Sequence, residues 1–185
     1  MAAPVTFEVQ YIEQRNRLTN VFRYLLAFPH LIILGALGIA AYAVTFVHWW
    51  YVLFTGRRNK GMWDFAYGVA DWSARVNGYL WHTFDIYPNF GFERRDEPVT
   101  YGFAYEEQAN RLTCALRSIW IIPAAFIAFF VFIGGAVMMF ISWWAILFTG
   151  RQSEGRQQFL VKVLRFGTRI NAYGMLLTDT YPKYE

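Results

Sequence analysis

The chain has 185 residues, of which 56% are apolar, 21% aromatic and 16% charged, with a net charge of +4 and a pI near 9.3. Soluble domains carry about a quarter charged residues, so this balance argues against an ordinary soluble globule and for a bilayer as the place where the excess apolar surface goes. The basic residues flank apolar stretches, so anionic lipid headgroups, and not nucleic acid, are the expected partner.

Residues 1–14 lack the positive-then-apolar order of a secretory signal, so insertion is expected through internal apolar segments. Alternating Phe7, Val9 and Tyr11 predict a short strand. Asn16 then opens a helix, and 33 residues without Asp, Glu, Lys or Arg separate Arg23 from Arg57. After Gly61, residues Met62 to Thr83 read as an amphipathic helix, followed by Asp85-Ile86-Tyr87-Pro88. The charged segment 93–98 separates this first module, residues 1–92, from a second, residues 99–185.

The second module repeats the first. Residues 6–88 align with residues 100–182 at a constant offset of 94, and 29 of the 83 pairs are identical without a gap. Asn16-Arg17-Leu18-Thr19 returns as Asn110-Arg111-Leu112-Thr113, Pro29 as Pro123, and Trp49-Trp50 as Trp143-Trp144. Leu53-Phe54-Thr55-Gly56-Arg57 returns as Leu147-Phe148-Thr149-Gly150-Arg151. Arg75, Asn77 and Tyr79 match Arg169, Asn171 and Tyr173, and Asp85 matches Asp179. A tandem repeat follows. Tyr101, Phe103 and Tyr105 repeat the strand pattern, so the two strands are expected to pair across the repeat axis.

Two architectures fit the apolar run. One helix crossing a core of about 30 Å uses about 20 residues, whereas 33 helical residues reach about 50 Å. The run is therefore either one long tilted helix, with Pro29 or Pro123 near its first turn, or a hairpin of two short helices turning at Gly35 and Gly38, or Gly134 and Gly135. Charge favours the hairpin. It places Arg15, Arg17, Arg23, Arg57, Arg58 and Lys60 on one side of the membrane with Arg111, Arg117, Arg151 and Arg156, as cations gather on the cytoplasmic side of membrane proteins. The expected fold is thus an all-α membrane protein, a tandem repeat of membrane hairpin or long helix plus amphipathic helix, each opened by a short β-strand. The expected place is the inner membrane, in a multi-pass arrangement. In the amphipathic helices, Asp64, Gly68, Asp71 and Arg75 share one face, as do Gln158, Lys162, Arg165 and Arg169. Such a helix lies in the interface, and the cations of residues 162–169 oppose a crossing there.

The recurring Trp-x4-Phe-Thr-Gly-Arg, Gly, Arg-x-Asn-x-Tyr and Asp-x-Tyr-Pro resemble the bacterial membrane family catalogued as domain of unknown function 4389. The resemblance covers nearly the whole chain and implies a helical membrane-associated module, with no activity to carry over. Loops of that family often read basic and Pro-containing; those of this chain, with Asn59-Lys60 and Ser153-Glu154, lack the Pro.

Several residues are candidates for a role. Gly56 and Gly150 mark helix ends. Arg57, Arg58, Lys60, Arg151, Arg156, Lys162 and Arg165 are candidates for lipid headgroups. Arg75 and Arg169 are expected to pair with Asp85 and Asp179 as structural ties. In a hairpin, His30 and His48 would face each other, but Ala124 and Ser142 replace them in the second copy, so haem or metal ligation is not expected. Cys114 excludes a disulfide framework and a cysteine-based zinc site. No HExxH, P-loop, GxSxG or CxxC motif occurs. The expected function is a non-catalytic membrane scaffold or accessory subunit of a larger complex, without cofactor, whose partners are lipids and other membrane subunits. A lipid-binding or membrane-shaping protein is the alternative, and a small transporter component a third.

Overall fold

The computed structural model describes residues 5–94 and 97–184. Arg95 and Asp96 of the charged linker lie outside them. Strand β1 (Thr6–Val9) is followed by helices α1 (Arg17–Thr55) and α2 (Lys60–Leu80), and β2 (Val99–Gly102) by α3 (Arg111–Thr149) and α4 (Glu154–Gly174). The fold is mainly helical, with one two-stranded sheet.

Each apolar run is a single helix of 39 residues. The hairpin expectation is therefore corrected. Gly35, Gly38, Gly134 and Gly135 keep helical backbone, and the positive-φ glycines among the described residues are Gly56, Gly91 and Gly150. Residues 31–41 and 124–141, around these glycines, hold no Ser, Thr, Asn or Asp to compete for the backbone, so the run has no cause to turn there. Nor does Pro29 sit in the first turn: it lies about three turns in from Arg17. The ends match their chemistry. Asn16 and Asn110 accept from the second and third backbone N–H groups of α1 and α3, and Gly56 and Gly150 adopt φ of 71° and 70° at their C-termini.

The four helices form two layers. α1 and α3 pack antiparallel: the Asn20 amide donates to the Trp143 carbonyl at 3.0 Å, and the Trp49 indole to the Cys114 carbonyl at 2.8 Å. α2 folds back along α1 and α4 along α3, and α2 and α4 pack on each other. Beneath them lies the sheet, with β1 on α4 and β2 on α2, and neither strand reaches α1 or α3. The strands pair antiparallel with Phe7 opposite Tyr101, which are equivalent positions of the repeat. A pseudo-twofold axis therefore runs through this pair and through the middle of all three layers. The pairing expected across the repeat axis is present. The core lies between the layers, around Phe7, Ala70, Ala74, Tyr79, Tyr101 and Leu164.

The amphipathic helices do not lie free. Asp71 and Arg75 of α2 are buried and Gly68 presses against the Phe92 ring, because β2 and residues 86–94 cover this face. On α4, β1 covers the same face in part: Lys162 is exposed, while Arg165 and Arg169 are half-buried. The polar stripe read as interfacial is a packing surface for the chain's own strands.

Candidate functional site

The Asn, Tyr and Asp residues that open and close each repeat converge with a buried arginine at two corners of the molecule, related by the pseudo-twofold. At the first, Arg23 in the second turn of α1 is fully buried. It donates to the carbonyls of Tyr79 and of Phe84 (2.7 Å), pairs with Asp85, and lies 4.5 Å over the Tyr79 ring. Asp85 also accepts from the Asn16 backbone N–H at 2.7 Å, so one carboxylate ties the start of α1 to the end of α2. At the second corner Arg117 donates to the carbonyls of Tyr173 and of Thr178 (2.9 Å), pairs with Asp179 at 2.5 Å, and sits 4.3 Å over the Tyr173 ring. Asp179 accepts from the Asn110 backbone N–H at 3.0 Å.

The expected ties of Arg75 to Asp85 and of Arg169 to Asp179 are thus not formed. Arg75 instead meets Asp71 at 3.2 Å and Glu97 at 3.1 Å, and donates to the Gly91 carbonyl at 2.6 Å. Arg169 donates to the Lys183 carbonyl at 2.8 Å. α2 and α4 project these arginines toward the sheet, away from the corners.

Each corner carries a second buried cation, drawn from a different place. At the second corner it is Arg58, which donates to the carbonyls of Leu176 (2.9 Å), Glu106 (3.0 Å) and Gln108 (2.8 Å) and pairs with Asp179 at 2.7 Å. Its repeat equivalent is Gln152. At the first corner Arg15 donates to the Thr83 carbonyl at 2.8 Å and to Gln157 at 2.5 Å. Arg58 is 2% exposed, so its assignment to lipid headgroups is corrected: burial in a cage of carbonyls leaves nothing for a phosphate to reach.

Other candidates are also engaged. Arg165 donates to the Phe7 carbonyl at 3.0 Å and closes the outer edge of β1, the part that Arg94 plays at the Tyr101 carbonyl of β2. Arg156 bonds Gln152 at 3.1 Å, and Lys60 pairs with Asp64 on the surface. Lys162 is exposed beside Glu8 and Arg165 at the rim of a shallow cleft.

The Thr-Gly-Arg segments are helix stops with exposed arginines. Thr55 and Thr149 hydroxyls donate to the carbonyls four residues back, and accept from the Arg57 and Arg151 N–H groups at 3.2 and 3.1 Å. Arg57 and Arg151 side chains are 68% and 69% exposed, 3.6 Å from Glu107 and Glu13. Beside them the Arg111 guanidinium lies against Gly56, and that of Arg17 against Gly150. Each corner therefore presents two exposed arginines where the C-terminus of a long helix gathers negative partial charge.

His30 accepts from the Trp72 indole at 3.0 Å and stacks on Phe90 at 3.9 Å, and His48 accepts from the Asn59 N–H at 3.1 Å. On one continuous helix these two histidines stand about 27 Å apart and cannot share a ligand. Among the described residues no three His, Cys, Asp or Glu side chains gather at metal-binding distance. A cavity of about 290 Å³ lies between α2 and α4, lined by Ser73, Asn77, Thr168 and Asn171 among others.

Sequence reasoning counted Arg23, Arg117 and Arg15 only among the cations on one side of the membrane and missed their buried role at the corners. The first two carried a signal, since Arg23 and Arg117 are identical at the repeat offset, as are Glu13-Gln14 and Glu107-Gln108. Arg15 has Ala109 at its equivalent position and carried none.

No curated protein and no solved structure matches the chain. A family model matches residues 17–91 and again residues 111–184, in each repeat from the start of the long helix through the Asp-x-Tyr-Pro segment. Each match spans one long helix, its returning helix and one corner-forming Asp, and the chain therefore belongs to the family described as Domain of unknown function (DUF4389), in two tandem copies.

Proposed function

We propose that the protein is a non-catalytic membrane scaffold or accessory subunit, seated in the bacterial inner membrane by α1 and α3. One observation carries the reading. Both helices are long and apolar enough to cross a membrane, yet only 11% and 17% of their most apolar stretches are buried within the chain. A core helix of a soluble protein would be mostly covered. Here Leu25, Ile32, Ile39, Phe46, Phe126, Phe130, Ile133 and Phe140 are each at least 50% exposed, and an apolar surface of this extent calls for a cover of acyl chains or partner helices. The buried charges support a structural role, since they are spent on holding helix ends together. After alkaline carbonate extraction the chain is expected in the membrane pellet; recovery in the supernatant would overturn the proposal.

The exposed arginines at the corners favour a second reading, recognition of anionic headgroups. Its carriers are Arg57 and Arg111 at one corner and Arg17 and Arg151 at the other.

A further inference from the structure

We infer that α1 and α3 lie flat in one leaflet, with the pseudo-twofold axis along the membrane normal and the sheet facing the aqueous phase. The inference rests on the membrane reading above and adds which surface meets the lipid and at what angle.

Length argues first. The 33 uncharged residues of each long helix cover about 50 Å, against a core of about 30 Å. A tilt of about 40°, the upper end for membrane helices, shortens this only to roughly 38 Å.

The second layer and the sheet argue more strongly. The axis passes α1 and α3 at mid-length, and it passes through the Phe7–Tyr101 pair. The sheet therefore sits level with the middle of the long helices, on the far side of α2 and α4. Its outward side chains are Thr6, Glu8 and Thr100, and exposed Lys162 lies next to Glu8. An upright molecule would hold these charges and two short strands at the bilayer centre, facing lipid. Exposed charges and strand edges have no solvent there. With the long helices in the plane, the same groups rise into water, and the apolar outer face of α1 and α3 meets the acyl chains.

Charge agrees. The axis exchanges the two corners, so when it stands along the normal both corners lie at one depth on one side. Arg17, Arg57, Arg111 and Arg151 then share a single interface. An upright antiparallel pair would instead send one corner to each side of the membrane.

The equivalent residues Gly61 and Gly155 make the test, because both are exposed and an added Cβ meets nothing closer than 3.5 Å. Gly61→Cys and Gly155→Cys variants of the full chain are labelled with a membrane-impermeant maleimide in right-side-out and inside-out vesicles from expressing cells. Buried Cys114 in the parent chain sets the background. The expected result is that both cysteines label from the same side only. Labelling from opposite sides, or labelling without sidedness, overturns the in-plane seat. Carbonate extraction of the same vesicles reads the membrane proposal separately, since an upright chain stays in the pellet too.

Discussion

At the scale of single residues, the two kinds of arginine in this chain should separate cleanly on mutation. Arg23 and Arg117 are buried and each holds two carbonyls and a carboxylate. Truncating Arg23 to Met strands Asp85 and those carbonyls, and is expected to cost about 3–5 kcal/mol. Arg57→Ala removes an exposed side chain 3.6 Å from its partner and should stay within about 0.5 kcal/mol. Thermal unfolding in detergent measures both. His82 adds a pH dependence. Its imidazole is fully buried, and burial first, then the positive Arg23, lowers its pKa from 6.5 to about 3. Between those values the unfolded chain holds a proton that the native state does not, so stability falls as pH falls below about 6.5, by up to about 1.4 kcal/mol per pH unit. Melting curves from about pH 7.5 to about pH 5 should show this slope, and His82→Asn should flatten it. Asn also tolerates the left-handed φ of 60° at this position.

At the scale of elements, the glycines of α1 distinguish a helix from a turn. A Cβ at Gly35 or Gly38 meets nothing within 4 Å. Alanine there should raise stability by about 0.5–1 kcal/mol per site, whereas at a hairpin turn it would lower it. Gly56→Ala should lose about 1–2 kcal/mol, because φ is 71° and the Arg111 side chain fills the space. Helix starts, helix stops and strand pairing were legible in the sequence because each is local or marked by the repeat: Asn16, Gly56 and the Phe7 alternation need no knowledge of distant residues. The corners were not. Arg23 and Asp85 lie 62 positions apart and meet only because α2 returns along α1, so the nearer Arg75 was the natural but wrong partner. The hairpin expectation failed because it took charges to be shared out only between two sides of a membrane, which a helix lying in the plane does not require.

At the scale of the whole molecule, the apolar and polar surfaces are separated along one direction. α1 and α3 form one outer face and the sheet the other, and Ile86, Tyr87, Phe90 and Phe92 extend the apolar side along the flank of α1. Four exposed arginines, Arg17, Arg57, Arg111 and Arg151, lie at the two ends of the long helices. Replacing Arg17, Arg57, Arg111 and Arg151 together by Ala is expected to weaken binding to anionic vesicles by tenfold or more, since each cation near such a surface contributes about 1 kcal/mol. The loss should shrink as salt rises toward about 1 M. Equal binding by parent and variant in low-salt flotation would remove headgroup recognition while leaving the membrane seat intact.

The crossed placement of the strands has a consequence for how the two halves depend on each other. β1 belongs to the first half and roofs α4 of the second, and β2 roofs α2 of the first. A chain with only one half would have to borrow its roof from another molecule, so the tandem protein has the architecture of a twofold dimer within one chain. Joining the halves lifts the demand that one sequence be its own partner. The halves have used that freedom: Gly78 leaves room for the Phe84 ring where the other half sets Ala172 with Thr178, and Gly167 faces the Phe132 ring where the other half has Ser73 and Gly38. Lock and key, placed at equivalent positions by the pseudo-symmetry, are each cut separately.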